Sequence, residues 1–166
     1  MPSHARIAPG PGQESVWDYP RPPRLERVVR RLRVLFDGRT IADTTQGYRV
    51  LETSHPPVYY LPPQDMERDL LAASDARPGF CEFKGRAVYY DLISGGVRSH
   101  CAAWSYLSPS RAFAPLAHHL AFYVSRVEGA YVDDERVEAQ AGDFYGGWIT
   151  RDVVGPFKGA SGTWGW

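Results

Sequence analysis

The chain has 166 residues, carries 19 basic and 19 acidic side chains, and contains two cysteines, Cys81 and Cys101. A chain near 150 residues buries roughly 70% of its extended surface, enough for one core without disulfide or metal staples. Balanced charge removes any global electrostatic reason for nucleic-acid or membrane partners, and 43% hydrophobic content argues against disorder. No apolar run approaches the ~18–20 residues of a membrane helix and no signal-peptide pattern opens the chain, so a cytoplasmic protein is expected. Five Trp, ten Tyr and seven Phe make a heavy aromatic load. All but two of the 19 basic residues are arginine, and the two lysines fall in one repeated tripeptide, Phe83-Lys84-Gly85 and Phe157-Lys158-Gly159. Where arginine is favoured throughout, a retained lysine hints at a titratable amine or a compact point charge.

Residues 1–26 are proline-rich and lack apolar periodicity, which predicts an extended arm, docked from about residue 14 through Val16-Trp17-Asp18-Tyr19. From residue 27 the apolar period becomes two. Val29, Leu32, Val34 and Phe36 lead to the hairpin turn Asp37-Gly38, and Thr40, Ile41 and Ala42 follow. A third strand is predicted over 47–52, with Tyr48, Val50 and Glu52 on one face, and a fourth over 58–61. Pro62-Pro63 with Asp65 predicts a short helix over about 63–72. The clearest hairpin pairs 86–93 with 97–104 around Ser94-Gly95-Gly96. Ser108-Pro109-Ser110 predicts a second short helix over about 111–123, interrupted by Pro115. A last hairpin spans 129–138, and 141–166 form a Gly/Trp-rich tail that must wrap its own domain or a partner subunit. The fold class is mainly β (α+β): a curved antiparallel sheet or open barrel of hairpins with two short helices. Residues 27–140 form the domain.

Several chemistries are unsupported. A structural zinc site wants four Cys/His ligands in close pairs, and neither cysteine has one, so no metal is expected. Gly10-Pro11-Gly12 precedes no helix, and no Gly-x-Ser-x-Gly elbow occurs. The arginines between Arg21 and Arg33 form the one basic cluster, but interspersed acids argue against nucleic-acid binding. Cys81 has Lys84 nearby, which would activate a thiol, although an inert buried cysteine is the more ordinary reading. What remains is a polar set in an aromatic setting. Glu52 and Lys84 are the candidate catalytic or anchoring pair, each tuning the other's proton affinity. His55, Tyr60, Cys81, Tyr90, Trp104 and Tyr106 are the candidate ligand-binding residues. The bland alternative is a structural salt bridge under packed aromatics.

The runs Arg49-Val50-Leu51-Glu52-Thr53-Ser54-His55-Pro56-Pro57, Cys81-Glu82-Phe83-Lys84-Gly85-Arg86-Ala87 and Ala102-Ala103-Trp104-Ser105-Tyr106 resemble the DUF427 family, with Glu14–Pro23 and Leu120–Tyr123 fitting the same pattern. The resemblance spans about residues 14–140. Glu82 departs from it, standing where the family commonly has proline. It implies a small bacterial β-rich domain with no established reaction. The family is sometimes labelled a nucleotidyltransferase, but the required Gly-Ser and Asp-x-Asp motifs are missing here. The expected function is a small-molecule pocket or enzyme built on Glu52 and Lys84, without a cofactor. The alternative is an interaction module, a homodimer formed through the arm or tail.

Overall fold

The computed structural model describes residues 5–142 and 144–166. In chain order its strands are β1 (Glu14–Ser15), β2 (Arg24–Val28), β3 (Leu32–Phe36), β4 (Arg39–Thr44), β5 (Gly47–Leu51), β6 (Val58–Tyr60), β7 (Leu71–Ala73) and β8 (Gly79–Cys81). There follow β9 (Gly85–Ser94), β10 (Val97–Tyr106), β11 (Ala121–Phe122), β12 (Gly129–Val132), β13 (Glu135–Arg136), β14 (Glu138–Ala139), β15 (Trp148–Ile149) and β16 (Val153–Val154). They form three main antiparallel sheets, ordered β2-β5-β6, β13-β12-β3-β4 and β11-β10-β9-β7, with β8 also paired to β9. The protein is thus mainly β, and none of the sheets closes into a barrel.

Local chemistry explains the hairpins. Asp37 and Gly38 both adopt positive φ, 51° and 73°, which matches the twist of a tight two-residue turn between β3 and β4. Leu32, Val34 and Phe36 alternate inward as the period of two requires. Val29 departs from that pattern and is exposed, because the chain breaks between β2 and β3. The long hairpin β9–β10 carries a bulge between Ser99 and Ala103, where Cys101 has φ 50°. Buried Asp91 fills the bulge, accepting from the Cys101 N–H at 2.8 Å and from Arg98 at 2.7 Å.

The two expected helices resolve into 3-10 turns. Residues 63–72 split into turns at Pro63–Asp65 and Arg68–Leu70, then strand β7. Cross-strand contacts win over helix propensity here. Met66 bridges Ala42, the Glu67 N–H donates to the Ile41 carbonyl, and Thr44 Oγ1 donates to Asp65. Residues 111–123 hold a kinked turn at Arg111–Leu116, broken at Phe113 and Pro115, and left-handed His118 (φ 63°) redirects the chain into β11. Among the described residues no helix is long and apolar enough to cross a membrane.

The main core lies between the β3 and β10 sheets and includes Leu32, Val34, Leu92, Phe122 and Val132. Trp148 of the tail belongs to it, fully buried, its ring 5.1 Å from that of Tyr59 and its Nε1 donating to the Phe122 carbonyl at 3.2 Å. The arm meets the tail through the parallel pair β1–β16 and a small cluster of Val16, Tyr19, Leu51 and Val153. Trp17 Nε1 adds a hydrogen bond to the Pro156 carbonyl at 2.8 Å. Trp148→Ala is expected to cost about 3–5 kcal/mol, as large-to-small changes at buried aromatics do, read from urea denaturation. A loss below about 1 kcal/mol would mean the tail is not part of the core.

Candidate functional site

The β2-β5-β6 and β11-β10-β9 sheets meet where Leu61 and Leu120 exchange backbone hydrogen bonds at 2.8 Å, and their strands β5, β6, β9 and β10 border a cavity of about 440 Å³, within the size range of small-molecule sites. Strand periodicity chooses the side chains that reach it. β5 and the residue after it present Val50 and Glu52, β6 presents Val58 and Tyr60, β9 presents Ala87 and Tyr89, and β10 presents Trp104 and Tyr106. The loop after β8 adds Lys84 beside Cys81. That loop is pinned to Ser110, whose N–H donates to the Lys84 carbonyl at 2.9 Å and whose Oγ donates to the Phe83 carbonyl at 2.6 Å. The arm contributes Arg21, and the tail contributes Phe144, Tyr145, Lys158 and Trp166. Gly146 passes against the Trp104 ring so closely that a Cβ there would overlap it.

His55 sits at the junction of these parts, 6% exposed. Its Nδ1 lies 3.3 Å from Gln140 Nε2, and its ring meets Tyr145 edge-on at 4.6 Å. Gln140 Nε2 also donates to the Lys158 carbonyl at 2.7 Å, and Gln140 Oε1 accepts the Gly147 N–H at 2.9 Å. An amide nitrogen can only donate, so the network assigns the His55 proton to Nε2, which faces Glu52 Oε2 at 3.7 Å. Burial, and then the positive charges of Lys158, Arg21 and Lys84, push the imidazole down to about 4. His55 is therefore neutral at pH 7, and its contact with Glu52 is not an ion pair.

The walls are neutral as well. Burial drives the Tyr60 phenol far above its ordinary value, and the rings of Trp104 and Tyr106 each lie 6.3 Å from its own, centroid to centroid. Burial also raises Tyr106, with nearby Cys81 adding to the effect, and pushes Tyr123 up to about 12. All three phenols stay protonated and offer hydrogen bonds rather than charge.

Of the residues singled out from sequence, Glu52, His55, Tyr60, Cys81, Lys84, Trp104 and Tyr106 all border this cavity. Tyr90 does not. It packs against the main core on the opposite face of β9, and its neighbour Tyr89 takes the cavity side. Glu52 and Lys84 share the cavity without forming an ion pair. The Glu52 carboxylate is held instead by Arg21, whose Nε lies 3.2 Å from Oε2. Lys84 Nζ lies 5.9 Å from the ring centroids of Tyr106 and Phe113, and no described carboxylate makes an ion pair with it. Sequence reasoning missed Arg21, Tyr89, Tyr145 and Gln140, and left Lys158 unplaced. One signal was available, because both of the chain's lysines border the same cavity. Among the described residues no group of three or more His, Cys, Asp or Glu is arranged to hold a metal.

A family model described as a domain of unknown function (DUF427) matches residues 24–133. A search of curated proteins found no significant match. The matched span holds most of the cavity's sheet residues, whereas Arg21, Tyr145, Lys158 and Trp166 lie outside it.

Two outcomes test this geometry. The folded-state value of His55 lies below its unfolded value of 6.5, so its contribution is complete above pH 6.5 and is lost as pH falls toward about 4. The loss should reach about 3 kcal/mol in wild type and be absent in His55→Gln, measured by urea denaturation across that window. Equal pH slopes in the two proteins would contradict a buried neutral His55. Gln140→Leu strands the Gly147 N–H and the Lys158 carbonyl and should cost about 2–4 kcal/mol. A change within about 0.5 kcal/mol would show that the amide ties nothing together.

Proposed function

The chain belongs to the DUF427 family, and because that family's description assigns no reaction, we propose from the cavity that the protein binds a small molecule. The observation carrying this reading is the roughly 440 Å³ space bordered by Tyr60, Trp104 and Tyr106, with polar groups from separate parts of the chain converging on it. Lys84 is the group available to a ligand, since its ammonium has no carboxylate partner among the described residues. Glu52 is clamped by Arg21 and stands 3.7 Å from the Nε2 of a neutral imidazole. That arrangement supports a proton-transfer role for Glu52 and His55 if the bound molecule reacts. The alternative of an oligomerisation module has less support. The arm pairs with the tail of its own chain through β1–β16, and Trp148 fills its own core, so both segments are already engaged.

A fragment screen by thermal shift tests the proposal. Val58 borders the cavity and is only partly buried, so Val58→Trp should fill the space without disrupting the core. Fragments should raise the wild-type Tm by several degrees, with shifted amide resonances at Tyr60, Lys84 and Trp104, and should leave Val58→Trp unchanged. Fragments that stabilise both proteins equally, or none that bind wild type, would defeat the pocket reading.

A further inference from the structure

We propose that the cavity takes an aromatic oxyanion, a carboxylate or phosphate on a flat apolar body, with its charged end at the cluster of Lys84, Lys158 and the His55 Nε2–H. This assignment rests on the pocket reading above and names the ligand class. The charge arrangement carries it. Among the described residues three cations and two acids border the space, namely Arg21, Lys84, Lys158, Glu52 and Glu82. Arg21 and Glu52 neutralise each other at 3.2 Å, and Glu82 is exposed. Among the described side chains, the two lysines are left bordering a region whose other polar groups, the tyrosine phenols and His55, are neutral. Lys158 is only weakly engaged, by one 3.4 Å hydrogen bond to the Trp166 main-chain oxygen and by the face of Tyr145 at 5.4 Å. Lysine offers a compact charge that accepts an oxyanion from several directions, which suits a chain that otherwise uses arginine for its surface pairs.

The apolar part of the ligand is specified by the walls. Trp104 lies 4.6 Å from Tyr123, centroid to centroid, and forms a broad aromatic surface. At the mouth, Phe80 and Phe144 border the cavity while 80% and 72% exposed. Apolar surface of that kind at a concave opening marks a place where a flat molecule is covered. Lys84 lies within the family-matched span and Lys158 beyond it, so the charged end is gripped jointly by domain and tail.

The test is calorimetric titration of the full chain with matched probes, indole-3-acetate and indole-3-acetamide, and with phenyl phosphate. The acid should bind at least about tenfold more tightly than the amide, a difference that shrinks as salt rises. Lys84→Gln and Lys158→Gln should each bring the acid toward the amide's affinity, whereas Glu82→Gln should strengthen it. Lys84→Gln is the cleaner variant, because no ion pair with a described residue is lost with it. Tighter binding of phenyl phosphate than of indole-3-acetate assigns a phosphate, and the reverse order a carboxylate. Equal affinity for acid and amide overturns the anion assignment and leaves the pocket reading standing. An acid preference that survives both lysine variants overturns the assigned seat. If neither probe binds at millimolar concentration the assignment also falls, and the pocket reading rests on the fragment screen alone.

Discussion

The side-chain amide of Gln140, 4% exposed, ties the loop carrying His55 to the tail. Its oxygen takes the Gly147 N–H, and its nitrogen serves both the Lys158 carbonyl and His55 Nδ1. Every polar atom of the amide is used, which is the condition under which a buried polar group adds specificity rather than cost. The Lys158 N–H donates to the Ser54 carbonyl at 2.8 Å, so the tail segment carrying the second lysine is fixed beside His55. At the crossing, Gly159 has φ 136° and its missing Cβ leaves room for the Ala141 carbonyl. Only glycine meets both demands.

What this tie creates is an electrostatic imbalance. Burial holds the His55 imidazole neutral, and Lys158, Arg21 and Lys84 act in the same direction. A protein with no binding role gains nothing by holding like charges around a cavity, because their repulsion works against folding. In otherwise consistent folds, departures from local rules are expected at functional or strained sites, which supports the proposed pocket. Strands supply the aromatic floor, and positive charge comes from the arm (Arg21), the loop after β8 (Lys84) and the tail (Lys158).

The β architecture was legible because alternation and turn chemistry are local. Asp37-Gly38 and Ser94-Gly95-Gly96 mark their hairpins directly, and Val50 and Glu52 fall on one face by period alone. The two short helices exist as 3-10 turns, but their lengths were not legible, because Pro62-Pro63 and Ser110 signal a helix start without saying how far it runs. Pairing with β4 and the left-handed turn at His118 decide that. Tyr89 and Tyr90 are adjacent on one strand, so one must face each way, and the choice depends on where the β10 bulge sets the register. Arg21 reaches the cavity, and Gln140 reaches His55 behind it, only through long-range docking of arm and tail, to which no short spacing in the sequence corresponds. Lys84 and Lys158 were visible as compositional oddities, but their convergence was not.

The central claim is that arm, domain and tail close over a neutral His55 ringed by positive charge. Nitrogen-15 NMR of the His55 imidazole through a pH titration measures this most directly. The structure predicts a neutral ring with its proton on Nε2 at pH 7 and a titration midpoint near 4. A midpoint near the ordinary 6.5, or a proton on Nδ1, would contradict it.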